Sequence, residues 1–322
     1  MKPPVFLLGS HKSGTSLLRS LLDGHEDLFV FPRETHFFQY TNFWVDYRLR
    51  RNYPEKTFFA KDKVLQYIEE QNRNDDPFSD NNDFKGYDVE RFLSFFDMTD
   101  TSDTKNLMEK YWQALCFSLT NNKNNFEKNF VEKSVENVEF ACVLRHFFPE
   151  CKFIHIVRNP YATITAIRKM KGKNGFPFLG PIIQSMSNSY YNLYKNSCYL
   201  ENYMVVKYED LLINAEFIMR KICDFLNIKF KDQLLVPTYF GELWGGNSTS
   251  GEKFDGISKK PLISWQSIIT PTEIKIVNDL YSHVLDRFGY DRLEDKGNWL
   301  MRNRHERSKT YLKNRFFYYL YR

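Results

Sequence analysis

The chain has 322 residues, an apolar share of 42% and a formal net charge of +5. This length suits one large α/β domain or two small ones, and the apolar share is that of a soluble globular protein. The modest positive charge fits attraction of an anionic ligand, but it gives no case for sequence-specific nucleic-acid binding, which usually shows a concentrated basic stripe. The 30 Phe and 20 Tyr residues predict a core rich in aromatic side chains.

The cysteines and the apolar runs predict where the protein resides. Five cysteines are scattered along the chain and form no C-x-x-C or Cys/His cluster, which favours free thiols in a reducing compartment. The N-terminal apolar run, Val5–Leu8, is too short for a signal-peptide core, and no stretch of about 18 apolar residues occurs. We therefore expect a cytoplasmic protein.

The first predicted element is a short buried strand, Val5–Leu8, followed by the glycine-bounded loop Gly9–Ser16 and then by apolar residues at helical spacing. Strand, glycine loop and helix in this order predict a phosphate-binding loop, with the amides from Gly14 onward aimed at an anion. In a nucleotide kinase a lysine follows the second glycine, whereas here Thr15 stands in that position and Lys12 precedes it. Lys12 therefore approaches the ligand from the other side of the loop, which indicates a different phosphoanhydride.

A second predicted strand, Leu28–Phe31, leads into the segment Arg33–Phe38. Open α/β sheets place reactive groups at strand ends of this kind. Glu34 and His36 point the same way in an extended segment, so geometry does not choose the catalytic base. Histidine has the better unperturbed pKa, about 6.5 against about 4.3, but desolvation among phenylalanines would raise the pKa of Glu34. The alternative role for Glu34 is to cap a turn or to pair with Arg33.

Residues 39–125 predict a helical insertion with polar connections, because apolar residues recur at helical spacing within 64–68 and 107–115. The basic cluster Tyr47–Arg51 could hold an acidic acceptor through Arg48, Arg50 and Arg51, or it could be a solvated helix face. Beyond the insertion, Phe130–Ser134 predicts a strand that leads into an amphipathic helix.

The segment Lys152–Val157 is a strong predicted strand and ends at Arg158-Asn159-Pro160. A P-loop kinase often carries a magnesium-binding aspartate at such a strand end, whereas a guanidinium suits a phosphate that carries no metal. A further strand from Tyr203 ends in Glu209 and Asp210, which are predicted to start the next helix because its positive end favours carboxylates. A glycine-rich loop with flanking aromatic residues follows at 244–258.

These motifs resemble those of sulfotransferases that use 3′-phosphoadenosine 5′-phosphosulfate (PAPS) as donor. The order lysine, then Ser-Gly-Thr-Ser-Leu, resembles the 5′-phosphosulfate loop, and Ile-Val-Arg-Asn-Pro at 156–160 resembles the 3′-phosphate motif. Glu-x-His-Phe-Phe at 34–38 resembles the segment of glycan sulfotransferases whose glutamate is the base, and tyrosylprotein sulfotransferases carry a comparable glutamate. Glu-Lys-Ser at 132–134 resembles the family's Glu-Lys-Thr/Ser-Pro-x-Asn segment, with Val135 in place of the usual proline.

The resemblance implies roles for particular residues. The residues implied at the donor are Ser10, His11, Lys12, Ser13, Gly14, Thr15, Ser16, Arg158, Thr165, Ala166, Tyr208, Lys253 and Phe254. The residues implied in catalysis are Lys12, Glu34, His36 and Lys133. The family's usual serine is Ala166 here, which leaves Thr163, Thr165 or neither as the hydroxyl partner. Lys133 and Lys253 have the alternative of being ordinary surface lysines.

We predict an α/β fold with a parallel, P-loop-like sheet flanked by helices, in a single domain over residues 1–295. The insertion 39–125 lies over the acceptor cleft in this prediction. The basic, aromatic tail 296–322 either packs as a helix on the core or touches a membrane surface or an anionic glycan.

The predicted reaction is metal-independent, in-line transfer of a sulfuryl group from PAPS to an acceptor hydroxyl of a carbohydrate or glycolipid, leaving adenosine 3′,5′-bisphosphate. The expected partner is a small-molecule or glycan acceptor and no nucleic acid. One alternative is a P-loop kinase that uses a nucleoside triphosphate with magnesium. The other is a non-catalytic glycan- or membrane-binding protein on the same fold.

Overall fold

The computed structural model describes residues 1–40, 61–73, 86–96, 103–172, 174–246 and 252–321. The basic cluster Tyr47–Arg51, with Arg48, Arg50 and Arg51, lies outside these ranges. Residues 247–251 of the glycine-rich loop also lie outside them.

Five parallel strands form the central sheet in the order β2-β3-β1-β4-β5. They are β1 (Val5–Gly9), β2 (Leu28–Val30), β3 (Asn129–Glu132), β4 (Lys152–Val157) and β5 (Tyr203–Lys207). A separate antiparallel pair consists of β6 (Thr238–Tyr239) and β7 (Glu242–Leu243). The central strand β1 pairs on both sides, since Val5 lies opposite Val131 of β3 and Lys152 of β4. The predicted parallel α/β sheet is confirmed.

Helices connect and cover the strands of this sheet. Those in the first half of the chain are α1 (Thr15–Leu22), α2 (Phe37–Tyr40), α3 (Lys61–Arg73), α4 (Val89–Phe95), α5 (Thr104–Thr120) and α6 (Asn137–Phe147). Those in the second half are α7 (Pro160–Lys171), α8 (Gly180–Tyr199), α9 (Tyr208–Ile213), α10 (Ala215–Leu226), α11 (Pro271–Leu280), α12 (Ser282–Phe288) and α13 (Ser308–Tyr321). Short 3₁₀ helices occupy Lys123–Glu127, Asp232–Leu235 and Lys260–Leu262.

The two faces of the sheet bury different kinds of side chain. Because side chains alternate along a strand, β1 directs Phe6 into an aromatic cluster and Leu7 into an aliphatic cluster that includes the leucines of α1. The ring of Phe6 lies 5.4 Å from that of Phe153 and 5.7 Å from that of Trp112. Burial on both faces is typical of parallel sheets. The predicted aromatic core is thus present on one side of the sheet.

The helices of the insertion contact the segment that follows β2. Tyr111 of α5 donates a hydrogen bond to the carbonyl of Thr35 at 2.7 Å, and Trp112 donates from its indole N–H to the Thr35 hydroxyl at 3.3 Å. Tyr67 of α3 donates to the carbonyl of Glu34. Since these side chains are buried, α3 and α5 fix the backbone that carries Glu34.

Helices near the C-terminal end pack against the core through buried tyrosines. The capping box of Thr270 and Glu273 begins α11, and Tyr281 separates this helix from α12, which ends at Phe288. Tyr281 is buried against the ring of Tyr190 at 5.2 Å, and its φ of −124° leaves the helical range. In the tail, α13 packs Tyr318 into the core, where it is 1% exposed. Among the described helices, none combines the length and apolar character needed to cross a bilayer.

Candidate functional site

A cavity of about 1020 Å³ opens at the carboxyl edge of the central sheet. Parallel strands deliver the segments that follow them to this edge, which is where open α/β sheets bind ligands. The sequence-predicted residues on its wall are His11, Lys12, Gly14, Thr15, Ser16, Glu34, His36, Lys133, Arg158, Thr165, Ala166, Tyr208 and Phe254. Ser10 and Ser13 are buried residues of the loop that do not line the cavity. Lys253 is exposed and also lies outside the wall.

The phosphate loop is shaped by one glycine and by the ring of Tyr208. Gly14 has a φ of +108°, a left-handed conformation that side chains disfavour. A Cβ at this position would lie 2.2 Å from Cδ2 of Tyr208. Tyr208 starts α9 directly after β5, which lies two strands away from β1 in the sheet, and its ring covers the loop. The first N–H groups of α1 therefore lie beside Gly14 and the ring of Tyr208.

Arg158 ties the phosphate loop to a distant segment. Its Nη1 donates to the carbonyl of Lys12 at 2.8 Å and its Nη2 donates to the carbonyl of Pro261 at 3.2 Å. Its guanidinium carbon lies 4.8 Å from the centroid of the Tyr208 ring. Lys12 itself has a φ of +61°, which is uncommon for a residue with a side chain. Arg158 therefore holds the backbone of the loop in an otherwise disfavoured conformation.

Two threonines near Ala166 compete as the hydroxyl partner of the donor, and their environments differ. Thr163 is fully buried and donates to the carbonyl of Asn159 at 3.1 Å, within its own helix. Thr165 lines the cavity, as Ala166 does. The buried hydroxyl of Thr165 has no hydrogen-bond partner among the described residues. Thr165 is therefore the hydroxyl that remains available to a ligand.

Glu34 and Lys133 form an ion pair on the cavity wall. The ammonium group of Lys133, which follows β3, donates to one carboxylate oxygen of Glu34. The backbone N–H of Val135 donates to the other oxygen at 3.2 Å. Burial alone would raise the pKa of Glu34, but the positive charges of Lys133 and His36 outweigh it and lower the pKa to about 2. Desolvation thus acts in the expected direction, but the expectation of a raised pKa for Glu34 is wrong because it leaves out Lys133.

His36 is held as a cation beside this pair. Its Nδ1 lies 2.9 Å from a carboxylate oxygen of Glu136, and its Nε2 lies 3.9 Å from Glu34. Burial alone would lower the pKa of His36, but the carboxylates of Glu136 and Glu34 raise it to about 9. An imidazolium cannot accept a proton near neutrality. The electrostatics of the site therefore favour Glu34 as the base.

Comparisons with known proteins agree with this geometry. Residues 3–232 match the model of the sulfotransferase family. The chain belongs to the sulfotransferase family. It is 27% identical over 164 residues to protein-tyrosine sulfotransferase A of Caenorhabditis elegans, an alignment that covers 47% of this chain and 42% of that protein. The aligned part of this sulfotransferase thus covers less than half the length of that relative.

Solved structures share the fold of this sulfotransferase. The sulfotransferase domain of the olefin synthase of Synechococcus PCC 7002 superposes with a TM-score of 0.56 at 21% identity, covering 90% of this chain and 95% of that one. The sulfotransferase domain of the curacin biosynthetic pathway gives 0.52 at 20% identity, covering 91% and 99%. At these identities the likeness establishes the fold, and the predicted family is confirmed by the match above.

Three ionisable side chains of this sulfotransferase lie close enough together to hold a metal ion. The ligand atoms of Glu34, His36 and Glu136 fall within 4.8 Å of one another. All three groups are engaged, since His36 is bonded to Glu136 and Glu34 is paired with Lys133. A metal ion would have to displace an ammonium group and a proton from them. The group is therefore better suited to an ion-pair network than to a metal centre.

Sequence reasoning missed the residue beneath the site. Glu132 is fully buried at the end of β3 and accepts from the backbone N–H and the hydroxyl of Thr35, at 3.1 and 2.9 Å. It also accepts from Ser134 and from the amide of Asn137. Glu132 therefore joins the segment that carries Glu34 to the segment that carries Lys133. A carboxylate at a predicted strand end was the available signal, but its partner Thr35 lies 97 positions away in the chain, which is too far to be predicted.

Proposed function

We propose that this sulfotransferase moves a sulfuryl group from PAPS to an acceptor hydroxyl without a metal ion. The observation that carries the proposal is the Glu34–Lys133 pair, which lines the same cavity as the phosphate loop and Arg158. A base, a neighbouring cation and an anion-binding loop are the groups that sulfuryl transfer requires.

The chemical character of the cavity supports a donor that carries several phosphate groups and an adenine. Its wall carries the cationic side chains of Lys12, Arg19, Arg33, Lys133, Arg158, Lys169, Lys171 and Lys260. It also carries the rings of Tyr208, Phe254 and Trp265, the last stacked on Tyr161 at 5.9 Å. The available hydroxyl of Thr165 suits a phosphate oxygen. Together these groups fit PAPS and its product, adenosine 3′,5′-bisphosphate.

The proposed reaction assigns a role to each charged group. The acceptor oxygen forms a new bond to sulfur, the bond between sulfur and the bisphosphate oxygen breaks, and the acceptor proton passes to Glu34. Negative charge develops on the leaving phosphate, and fixed positive groups there lower the barrier. Lys12 and the amides at the start of α1 supply that charge. Lys133 keeps Glu34 ionised and supplies positive charge beside the attacking oxygen.

We infer further that the acceptor hydroxyl belongs to a carbohydrate or glycolipid. Tyr67, Gln71 and Trp244 line the cavity together with Glu34. Aromatic faces and a polar amide form the mixed surface that contacts the apolar faces and hydroxyls of a sugar. The named activity of the Caenorhabditis elegans relative makes the phenol of a protein tyrosine the second candidate.

A transfer assay tests both the reaction and the acceptor class. The full chain is incubated with sulfur-labelled PAPS in the presence of EDTA and a panel of glycans, glycolipids, phenols and tyrosine peptides. We expect label on a glycan or glycolipid, and a loss in Glu34→Gln that the exposed control Glu201→Gln does not share. Label on the peptides alone would reassign the acceptor, whereas no transfer to any acceptor would contradict the proposed reaction.

A further inference from the structure

The C-terminal helix α13 has an outer apolar face that the core does not cover. Its inner face packs inward through Tyr318 and Asn314, which are 1% and 5% exposed. The outer residues are Leu312 at 65%, Phe316 at 68%, Tyr319 at 58% and Leu320 at 66% exposure. Positions i, i+4, i+7 and i+8 lie along one side of a helix, so these four side chains form a single stripe. We call them the outer stripe.

Positive charge surrounds the outer stripe. Residues 296–322 contain eight Lys and Arg residues and one acidic residue, Glu306. Glu306 is 2% exposed and bonded to Asn314, so it does not offset that charge at the surface. Lys309 and Lys313 lie on the same side of α13 as the outer stripe and are exposed. Because the whole chain has a net charge of only +5, residues 1–295 are net acidic and the excess of positive charge lies in the tail.

Three further arginines extend this surface along the chain. Arg302, Arg304 and Arg307 precede α13 and are exposed. Met301, beside them, is 66% exposed and adds another apolar side chain. The cationic surface therefore continues from α13 into the segment that leads to it.

We propose that α13 docks this protein on an anionic lipid surface. Large apolar side chains on one side of a helix, flanked by lysines, are the pattern of helices that lie in the bilayer interface. The outer stripe enters the boundary between headgroups and acyl chains, while Lys309, Lys313 and the neighbouring arginines contact lipid phosphates. The combination supplies two signals, apolar burial and electrostatic attraction, which together give stable but reversible binding.

The same features disfavour a protein, including a second copy of this chain, as the binding partner of the outer stripe. Two copies meeting through this face would bring Lys309 and Lys313 of one copy against the lysines of the other, and like charges at an interface are unfavourable. Lysine is also depleted in the cores of protein interfaces. A lipid surface of opposite charge satisfies the apolar and the charged groups at once.

Vesicle cosedimentation tests the proposal with the full chain. The probes are vesicles of phosphatidylcholine alone and of phosphatidylcholine mixed equally with phosphatidylserine. We expect binding to the anionic vesicles only, weakened by salt. The triple variant Leu312→Ser, Phe316→Ser, Leu320→Ser removes the apolar contribution. The double variant Lys309→Glu, Lys313→Glu reverses two charges, and each variant is expected to lower vesicle partitioning at least about tenfold.

A matched control separates docking from general hydrophobicity. Phe217 of α10 is 57% exposed, so Phe217→Ser removes a comparable aromatic side chain elsewhere and leaves partitioning unchanged. Melting temperature and bisphosphate affinity remain near wild type in every variant, because all the altered positions lie on the surface. Absence of wild-type binding to anionic vesicles overturns the proposal, as does equal binding by the triple variant. A dimer in sedimentation velocity that the triple variant loses, without vesicle binding, assigns the face to a second copy.

Discussion

Lys133 donates a hydrogen bond to the carboxylate of Glu34, although the two residues are 99 positions apart in the chain. The side chains are 10% and 21% exposed, so water screens this pair only in part. A carboxylate paired in this way stays ionised over the physiological range, and it retains lone pairs for an acceptor hydroxyl. The pair therefore defines where proton transfer is expected.

Exchange of Glu34 for glutamine tests the assignment of the base. Glu34→Gln keeps the shape but cannot accept the proton, so we expect turnover to fall about 10²-fold or more. Bisphosphate affinity should change by less than about threefold, because only a transition-state interaction is lost. His36→Gln should cost less. A larger loss of turnover in the His36 variant, or full activity in the Glu34 variant, would move the base to His36.

The pH dependence of kcat/KM distinguishes the same two residues independently. The pKa of Glu34 is lowered to about 2 and that of His36 is raised to about 9. If Glu34 is the base, it is ionised well above its pKa, and kcat/KM should be flat from about pH 5 to about pH 8. A neutral His36 base would instead make kcat/KM rise about tenfold per pH unit until about pH 9.

Removal of Lys133 should shift the acid limb of that profile. An ammonium group favours the ionised carboxylate, so Lys133→Met raises the pKa of Glu34 and moves the acid limb to higher pH. Lys221→Met, at an exposed position of α10, is the control and should leave the limb unchanged. If the acid limb does not move in Lys133→Met, the group that titrates in that limb is not Glu34.

The hydroxyl partner of the donor can be identified with two complementary variants. Thr165→Val removes the available hydroxyl and should weaken bisphosphate binding by about 1.5–3 kcal/mol at most, the value of a hydrogen bond to a charged group. Ala166→Ser should change affinity little, because Thr165 already supplies the hydroxyl. Titration calorimetry measures both. If Ala166→Ser binds the bisphosphate more tightly and Thr165→Val has no effect, neither threonine supplies the hydroxyl, and the natural protein lacks that hydrogen bond.

Loss of the carboxylate at Glu132 should affect stability and turnover together. Glutamine turns one acceptor oxygen into an N–H donor that faces the donors of Thr35, Ser134 or Asn137, and an unsatisfied buried group costs about 1–3 kcal/mol. We expect Glu132→Gln to lower the urea midpoint and also to lower turnover, because Glu34 is displaced. The exposed control Glu127→Gln should alter neither. If the urea midpoint of Glu132→Gln is unchanged, Glu132 does not stabilise the contact between the segment that carries Glu34 and the segment that carries Lys133.

Much of the sheet and of the donor loop could be predicted because the relevant signals are local. The apolar run Val5–Leu8, the two glycines and the following helical spacing are contiguous, and Arg158 directly follows a strong strand. Since parallel strands end at one edge of the sheet, strand-end residues from distant segments meet there. The common location of Lys12, Glu34 and Arg158 follows from that rule alone.

The side-chain contacts between those segments could not be predicted. The pKa of Glu34 depends on where Lys133 places its ammonium group, and Trp265 reaches the cavity from a segment with no recognisable motif. The resemblance implies Lys253 of the glycine-rich loop at the donor, but the cavity wall carries the neighbouring Phe254 and the later Lys260. Loop paths determine these positions, and sequence periodicity carries no information about them.

Donor binding without metal tests the central claim most directly. Adenosine 3′,5′-bisphosphate is added in EDTA at about 100 times its Kd, where binding to the native state alone adds about 2.7 kcal/mol of stability. We predict a clear rise in melting temperature, a smaller rise in Thr165→Val, and less protection by ATP with magnesium. Greater protection by ATP with magnesium, or no effect of the bisphosphate, would contradict it.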